Sequence, residues 1–348
     1  MPDPRRLAYV DLSGYAFTGK HAAIDLLREF RGYKVAKFNY EFSVLRIQAG
    51  IRDLETALVD DWSPIRSDAA IRRFRLLVDR LASKNAWLNP KSWFHATGWN
   101  YEDFFHGKFR ARSDQYVREL VDAEWMAEWP YPMAEMHGIE LFRRKLLRLL
   151  GSKSAFDVPV VLAAPGPDRF MAATRSYLAD LMDAFCEGTD AHTVVMHNTF
   201  EPYNPGRALR YFNNARSIIV DRDPRDNYIA QMGVRSVAVP PKIFVQRYRL
   251  YRDLARRHVD PPGRVLRITF ESLVLNYNRT ILRILDFLGL CPADHVTPRR
   301  YFKPEESARN VGLWRTYPTQ DEVDYIAREL SEYCCEPSTI GNADDHEP

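Results

Sequence analysis

The stretch "SIIVDRDPRDNYIAQ", Ser217–Gln231, carries most of the fold information in this chain. Ser217–Val220 is a short run with β-branched apolar residues and no helical spacing, as expected of a buried strand. It ends in Arg222-Asp223-Pro224-Arg225-Asp226. Pro224 suits the first turn of a helix, where its fixed φ is already helical and its missing N–H has no partner to lose. The stretch therefore predicts a strand that turns directly into a helix, with Arg222 at the carboxyl edge of a sheet. Ligands bind at that edge in open α/β folds. The charges have two readings: Arg and Asp pairs that lock the corner, or a guanidinium fork offered to an anion.

The same alternation recurs along the chain. Strand-like runs at 7–13, 34–40, 158–164, 192–198, 217–223 and 265–270 are mostly followed by helical patterns, the signature of a parallel α/β sheet. After the first run, Ala23, Leu26, Leu27 and Phe30 recur at helical spacing and Gly32 ends the segment. Residues from about 60 to 150 break the rhythm. They read as a mainly helical insertion with an arginine-rich face (Arg72, Arg73, Arg75). It holds Trp87, Trp93, Trp99, Trp125 and Trp129 beside Tyr101, Tyr116 and Tyr131. Such an insertion is a candidate acceptor-binding lid, although large aromatics also build cores. The expected organisation is one α/β domain over 1–335 and a polar, disordered tail over 336–348.

Bulk properties exclude several classes. The 348 residues are 46% hydrophobic and 27% charged, which suits a globular protein. A net charge of +3 is too small for a general nucleic-acid binder. No apolar run approaches the ~20 residues of a membrane span, and the N-terminus lacks the pattern of a signal peptide. Cys186, Cys291, Cys334 and Cys335 have no metal-ligand spacing, so reduced thiols in the cytoplasm and no metal site are expected.

A second motif lies near the start. From Gly14 the chain reads G-Y-A-F-T-G-K-H, one residue from the phosphate-loop pattern G-x-x-x-x-G-K-[ST]. A glycine-bearing turn between strand and helix presents N–H groups and a helix dipole to an anion, and Lys20 adds a positive charge. His21 stands where a hydroxyl would hold magnesium, and imidazole is a poor magnesium ligand. "SIIVD", ending in Asp221, keeps a magnesium-dependent reading alive, because it has the form of a Walker B strand.

The V-x-R-D-P-R-D corner resembles the 3′-phosphate-binding motif of sulfotransferases that use 3′-phosphoadenosine 5′-phosphosulfate (PAPS), and three further segments agree in order. "GYAFTGKHA" is similar to that family's phosphosulfate loop. "VLRITFESLVLNYNRTILRILDFLGL" resembles its strand with an aromatic-Glu-x-Leu and a helix ending F-L-G-L. "SARNVGLWRTYPTQDEVDYI" resembles its C-terminal G-x-W-[RK] segment. The closest flavour is the bacterial carbohydrate-modifying enzymes. The resemblance implies a P-loop-like parallel sheet flanked by helices, with a helical insertion. It also implies PAPS as co-substrate, 3′-phosphoadenosine 5′-phosphate (PAP) as product, and a hydroxyl on a glycan or glycolipid as acceptor.

Carried over residue by residue, the cofactor loop falls on Tyr15, Phe17, Thr18, Gly19, Lys20 and His21. Phe17 replaces a usual basic residue, a role within reach of Lys20. Arg222 takes the 3′-phosphate. Ala230 stands where a serine is frequent, so a further phosphate contact falls to another group such as Arg309, and Phe270 stacks on adenine. The catalytic base is Glu41 or His197, both at the expected sheet edge. Two rival readings stay open: a P-loop kinase or NTPase, and a PAP-binding protein without catalysis.

Overall fold

A computed structural model describes residues 7–36, 41–84, 98–136, 138–234 and 238–335. Its strands among these are β1 (Ala8–Gly14), β2 (Tyr33–Val35), β3 (Ala123–Glu128), β4 (Asp157–Leu162), β5 (Thr193–His197), β6 (Ala215–Asp221) and β7 (Val265–Thr269). The chain divides into two compact units, Met1–Ser43 with Gly188–Pro348, and Val44–Glu187.

The first unit is built on a five-stranded sheet of order β2-β5-β1-β6-β7, parallel throughout. Its central strand β1 is covered on both faces, which is why it reads as a nearly continuous apolar run. Helix Lys20–Leu27 follows β1, Pro224–Met232 follows β6, and Phe270–Leu275 with Tyr277–Leu288 follow β7. Val10 and Leu12 of β1 share one core with Leu26 and Leu27 of the first helix, Ile218 and Val220 of β6, and Phe270, Leu273, Ile284 and Leu285. From β1 the chain moves to the β2 side, whereas from β6 it moves to β7 on the opposite side. The carboxyl ends of β1 and β6 thus flank the switch point, where departing connections leave a crevice. The register sets Gly14 opposite Val220, so both motif loops leave the sheet together.

The second unit is helical apart from the antiparallel pair β3–β4. Ser63 caps helix Pro64–Ala82, its hydroxyl accepting from the Arg66 N–H at 3.2 Å. Phe74, Tyr101, Phe105, Phe109 and Tyr116 are fully buried. Tyr116 stacks on Tyr177 and bonds Thr174 at 2.8 Å. Trp62, Trp99 and Trp125 are exposed, so phenylalanine and tyrosine form this core. Trp87, Trp93 and the tail 336–348 lie outside the described residues.

Two expectations need correction. The run 158–164 belongs to the antiparallel pair with β3, not to the parallel sheet. A short apolar run signals a strand but not its partner, and β3, "AEWMAE", is exposed and carries no apolar alternation. The unit inserted between β2 and β5 is also wider than 60–150, spanning Val44–Glu187. Of the run 34–40, the structure has Tyr33–Val35 as strand, and 37–40 lie outside the described residues.

Candidate active site

The loop leaving β1 is tightly wound. Ala16 (φ 72°), Phe17 (φ 52°) and Gly19 (φ 78°) all lie in the left-handed region, a cost of order 1–3 kcal/mol for a non-glycine residue. Gly19 answers two demands, because a Cβ there would also stand 2.3 Å from the Phe270 ring. The conformation is held from the β6 side: the Asn227 amide donates to the Ala16 carbonyl at 2.8 Å, and Arg222 donates to the Phe17 carbonyl at 3.1 Å. Gly19 is the N-cap of helix Lys20–Leu27, whose first N–H groups have no intrahelical acceptor. Beside them Thr18 is 1% exposed, and its hydroxyl has no hydrogen-bond partner among the described residues. A buried hydroxyl left that way is costly unless a ligand or a water completes it.

Across the crevice Arg222 is 6% exposed. Its guanidinium donates to the Phe17 and Asn310 carbonyls at 3.1 and 2.5 Å and lies 5.0 Å from the Phe270 ring centre. Its Nε has no partner among the described residues. Burial lowers its pKa, while Asp226, Glu271 and Asp223 oppose that shift. The other charges of the corner are structural. Asp223 pairs with Arg225 at 2.7 Å, and Arg225 lies 4.0 Å over Trp314. Asp226 accepts from the Gly312 and Trp314 N–H groups at 2.6 and 3.2 Å, and Asp223 from the Cys335 N–H at 2.8 Å. The locking reading of the motif holds for three of its residues: Asp223, Arg225 and Asp226 tie the corner to the C-terminal segment. Asp221 is ion-paired with buried Arg252 and accepts the Arg222 N–H. A Walker-type aspartate needs its oxygens for a magnesium shell, and here Oδ1 is taken by the Arg252 guanidinium and the Arg222 N–H.

Glu271 sits behind Arg222. It is buried and accepts the Asp223 N–H at 3.0 Å. Burial raises its carboxyl from 4.5 to about 7, against the pull of that N–H. A carboxyl raised in the folded state stabilises the fold while protonated, and the contribution is lost as pH climbs from its unfolded value through 7. Denaturant titrations of the wild type are expected to show about 3 kcal/mol of stability lost from this group between pH 4.5 and 7.5, and Glu271→Gln removes that slope. An unchanged slope in the variant contradicts the assignment.

A third group gathers beyond the helix start. Lys20 Nζ is 4.0 Å from Glu41 Oε1, which also accepts from the Asn198 amide at 2.6 Å. His197 ends β5, is 7% exposed, and meets the His21 ring edge-on at 5.0 Å. Burial and then Lys20 lower the His21 pKa, although Glu41 raises it, and the balance favours the neutral imidazole.

Two residues that sequence reasoning passed over set this cluster in place. Asp11, fully buried in β1, accepts the Thr199 N–H at 2.8 Å, and the single Ser13 O–H is shared between the Asp11 carboxylate and the Phe200 carbonyl, 2.9 Å away. They tie the turn after His197 to the sheet edge. Polar residues inside an otherwise apolar strand, "VDLS", were the available signal.

The structure thus gathers Phe17, Thr18, Gly19, Arg222 and Phe270 at one place, and Lys20, His21, Glu41 and His197 at another within the same unit. Three named residues stand apart. The Tyr15 hydroxyl is engaged by the Pro202 carbonyl at 3.3 Å and by Arg267 at 3.2 Å. Ala230 is half-buried on helix Pro224–Met232. Arg309 is exposed, and it is the carbonyl of its neighbour Asn310 that meets Arg222.

Residues 122–294, a stretch containing β5–β7 and the R-D-P-R-D corner, match a model described as Sulfotransferase family. Over that stretch the chain matches the sulfotransferase family. Among curated proteins there is no match. Solved structures similar to this chain include the sulfotransferase domain of the Synechococcus PCC 7002 olefin synthase (14% identity, 95% of this chain and 97% of that one, TM-score 0.39). Others are sulfotransferase STF9 from Mycobacterium avium (13% identity, 95% and 76%, TM-score 0.38) and a retinol dehydratase in complex with androsterone and inactive cofactor PAP (13%, 99% and 84%, TM-score 0.36). Likenesses this distant say nothing about the acceptor. The family match excludes the Gly14–His21 loop, so the assignment of that loop rests on its own geometry.

Proposed function

We propose that the protein transfers a sulfuryl group from PAPS to an acceptor hydroxyl and releases PAP. The observation that carries this reading is the buried, unpartnered Thr18 hydroxyl beside Gly19, with Arg222 and Phe270 across the crevice. These residues fit a nucleotide with phosphate at both ends. Thr18 and the N–H groups of Gly19, Lys20 and His21 would hold the phosphosulfate end, Arg222 the 3′-phosphate, and Phe270 the adenine. When bound, PAPS supplies a sulfuryl group whose bond to phosphate oxygen breaks as one to the acceptor oxygen forms.

The chain's own part is charge stabilisation and proton removal. Lys20 stands at the helix start in place of the basic residue absent at Phe17. Glu41 takes the acceptor proton: its carboxylate is partly exposed and oriented by Asn198 and Lys20. His197 is more enclosed and packs on His21, so it supports the site wall. The acceptor is a glycan or glycolipid, the class that the resemblance of the motifs implies.

Incubation with sulfur-labelled PAPS and a panel of glycans, glycolipids and small phenols tests this reading. Label is expected in a sugar-bearing product. Label only in phenols contradicts the acceptor class, and no transfer to any hydroxyl despite PAP binding favours a non-catalytic binder.

A further inference from the structure

Helix Gly138–Leu149, "GIELFRRKLLRL", is built the opposite way from its neighbours in the second unit. Pro64–Ala82 turns Ile71, Phe74, Leu77, Val78 and Leu81 inward, whereas Gly138–Leu149 has no buried residue. Ile139 is 86% exposed, Phe142 68% and Leu149 84%, with Leu146 and Leu150 also exposed. At 100° per residue these five fall within an arc of about 100°. The polar side faces the protein instead. Arg144 donates to the Ala155 and Asp157 carbonyls at 3.2 and 3.3 Å, Arg148 makes a bidentate pair with Glu128 at 3.1 Å, and Glu140 receives Arg143 and Arg144. The helix is thus tethered by its charges to the ends of the β3–β4 pair and presents its apolar arc outward.

We propose that this helix docks the protein onto an anionic membrane surface, lying in the interface with Ile139, Phe142, Leu146 and Leu149 among the acyl chains. Arg143 and Lys145 border the apolar arc on its two sides, where long cationic side chains reach lipid headgroups while their stems lie along the apolar boundary. The helix carries Arg143, Arg144, Lys145 and Arg148 against Glu140, and Lys153 follows, a balance complementary to acidic lipid. Twelve residues extend about 18 Å, too short to cross ~30 Å of hydrocarbon. A two-fold contact between copies through this arc would set Arg143 and Lys145 against their own likes, an arrangement symmetric pairing disfavours. The inference is independent of the sulfuryl-transfer reading.

The test is co-sedimentation of the full chain with vesicles of phosphatidylcholine alone or with about one-third phosphatidylglycerol, at low and high salt. Partition into the anionic vesicles is expected to exceed that into neutral ones about tenfold or more and to weaken in high salt. Ile139→Glu with Leu149→Glu should lower it by at least about tenfold, and Lys145→Glu by about fivefold or more. The substituted side chains are exposed, so unfolding temperatures should match the wild type. Equal binding to both vesicles, or a double variant that binds as well as wild type, overturns the proposal. So does a wild-type dimer in light scattering that the double variant converts to monomer, since a second copy then occupies the face.

Discussion

Arg222→Ala is expected to abolish the thermal stabilisation that PAP gives the wild type. A ligand at ~100 times its dissociation constant adds about 2.7 kcal/mol to the folded state, roughly 4 °C for a protein of this size. Arg222 is the buried cation whose Nε has no partner among the described residues, and it joins the loop at Phe17 to the C-terminal segment at Asn310. Removing it takes away the fork for phosphate and the donor to both carbonyls. Those carbonyls cost about 1–3 kcal/mol if left unbonded, so the variant's own ligand-free unfolding temperature is the reference. Arg222→Lys keeps a charge without the planar fork and should recover only part of the shift. Arg309→Ala, at an exposed site, should retain most of it. Full retention of the PAP shift in Arg222→Ala removes Arg222 from the nucleotide site.

Glu41→Gln should lower kcat by about 10²–10⁴-fold while leaving PAP affinity near wild type, the range for loss of a general base. The amide keeps its size and can still bond Asn198, but it accepts no proton. His197→Ala should act more weakly on kcat and more on stability, because His197 is enclosed and packs against His21. The measurement is steady-state transfer by each variant at one pH, in which Glu41→Gln should lose far more of kcat than His197→Ala. The reverse pattern assigns the proton to His197 and leaves Glu41 as the orienting partner of Lys20.

Much of the fold was legible because its cause is local. Ser217–Asp226 announces a strand, a proline-started helix and an edge arginine, and all three are present. The order β2-β5-β1-β6-β7 was not legible, since parallel pairing joins residues nearly two hundred positions apart and apolar runs carry no partner label. The run 158–164 shows that limit most clearly: its apolar character was right and its sheet was not. At the site, the motif loops could be named from spacing alone. The roles of Asp11 and Ser13 could not, because their partners at 199 and 200 lie in the turn after β5, far along the chain. Nor could spacing divide the charges of the R-D-P-R-D corner. Only the contacts separate Asp223, Arg225 and Asp226, which lock it, from Arg222, which faces the loop.

The central claim is that the loop after β1 and the corner after β6 together hold a nucleotide phosphorylated at both ends. Thermal unfolding of the wild-type chain with PAP, set against ATP with magnesium, tests it most directly. A shift of several degrees with PAP, and none with magnesium ATP, is the expected result. Stabilisation by magnesium ATP alone would contradict it and would mean that Asp221 exchanges Arg252 for a metal, making this a nucleotide-hydrolysing or kinase site.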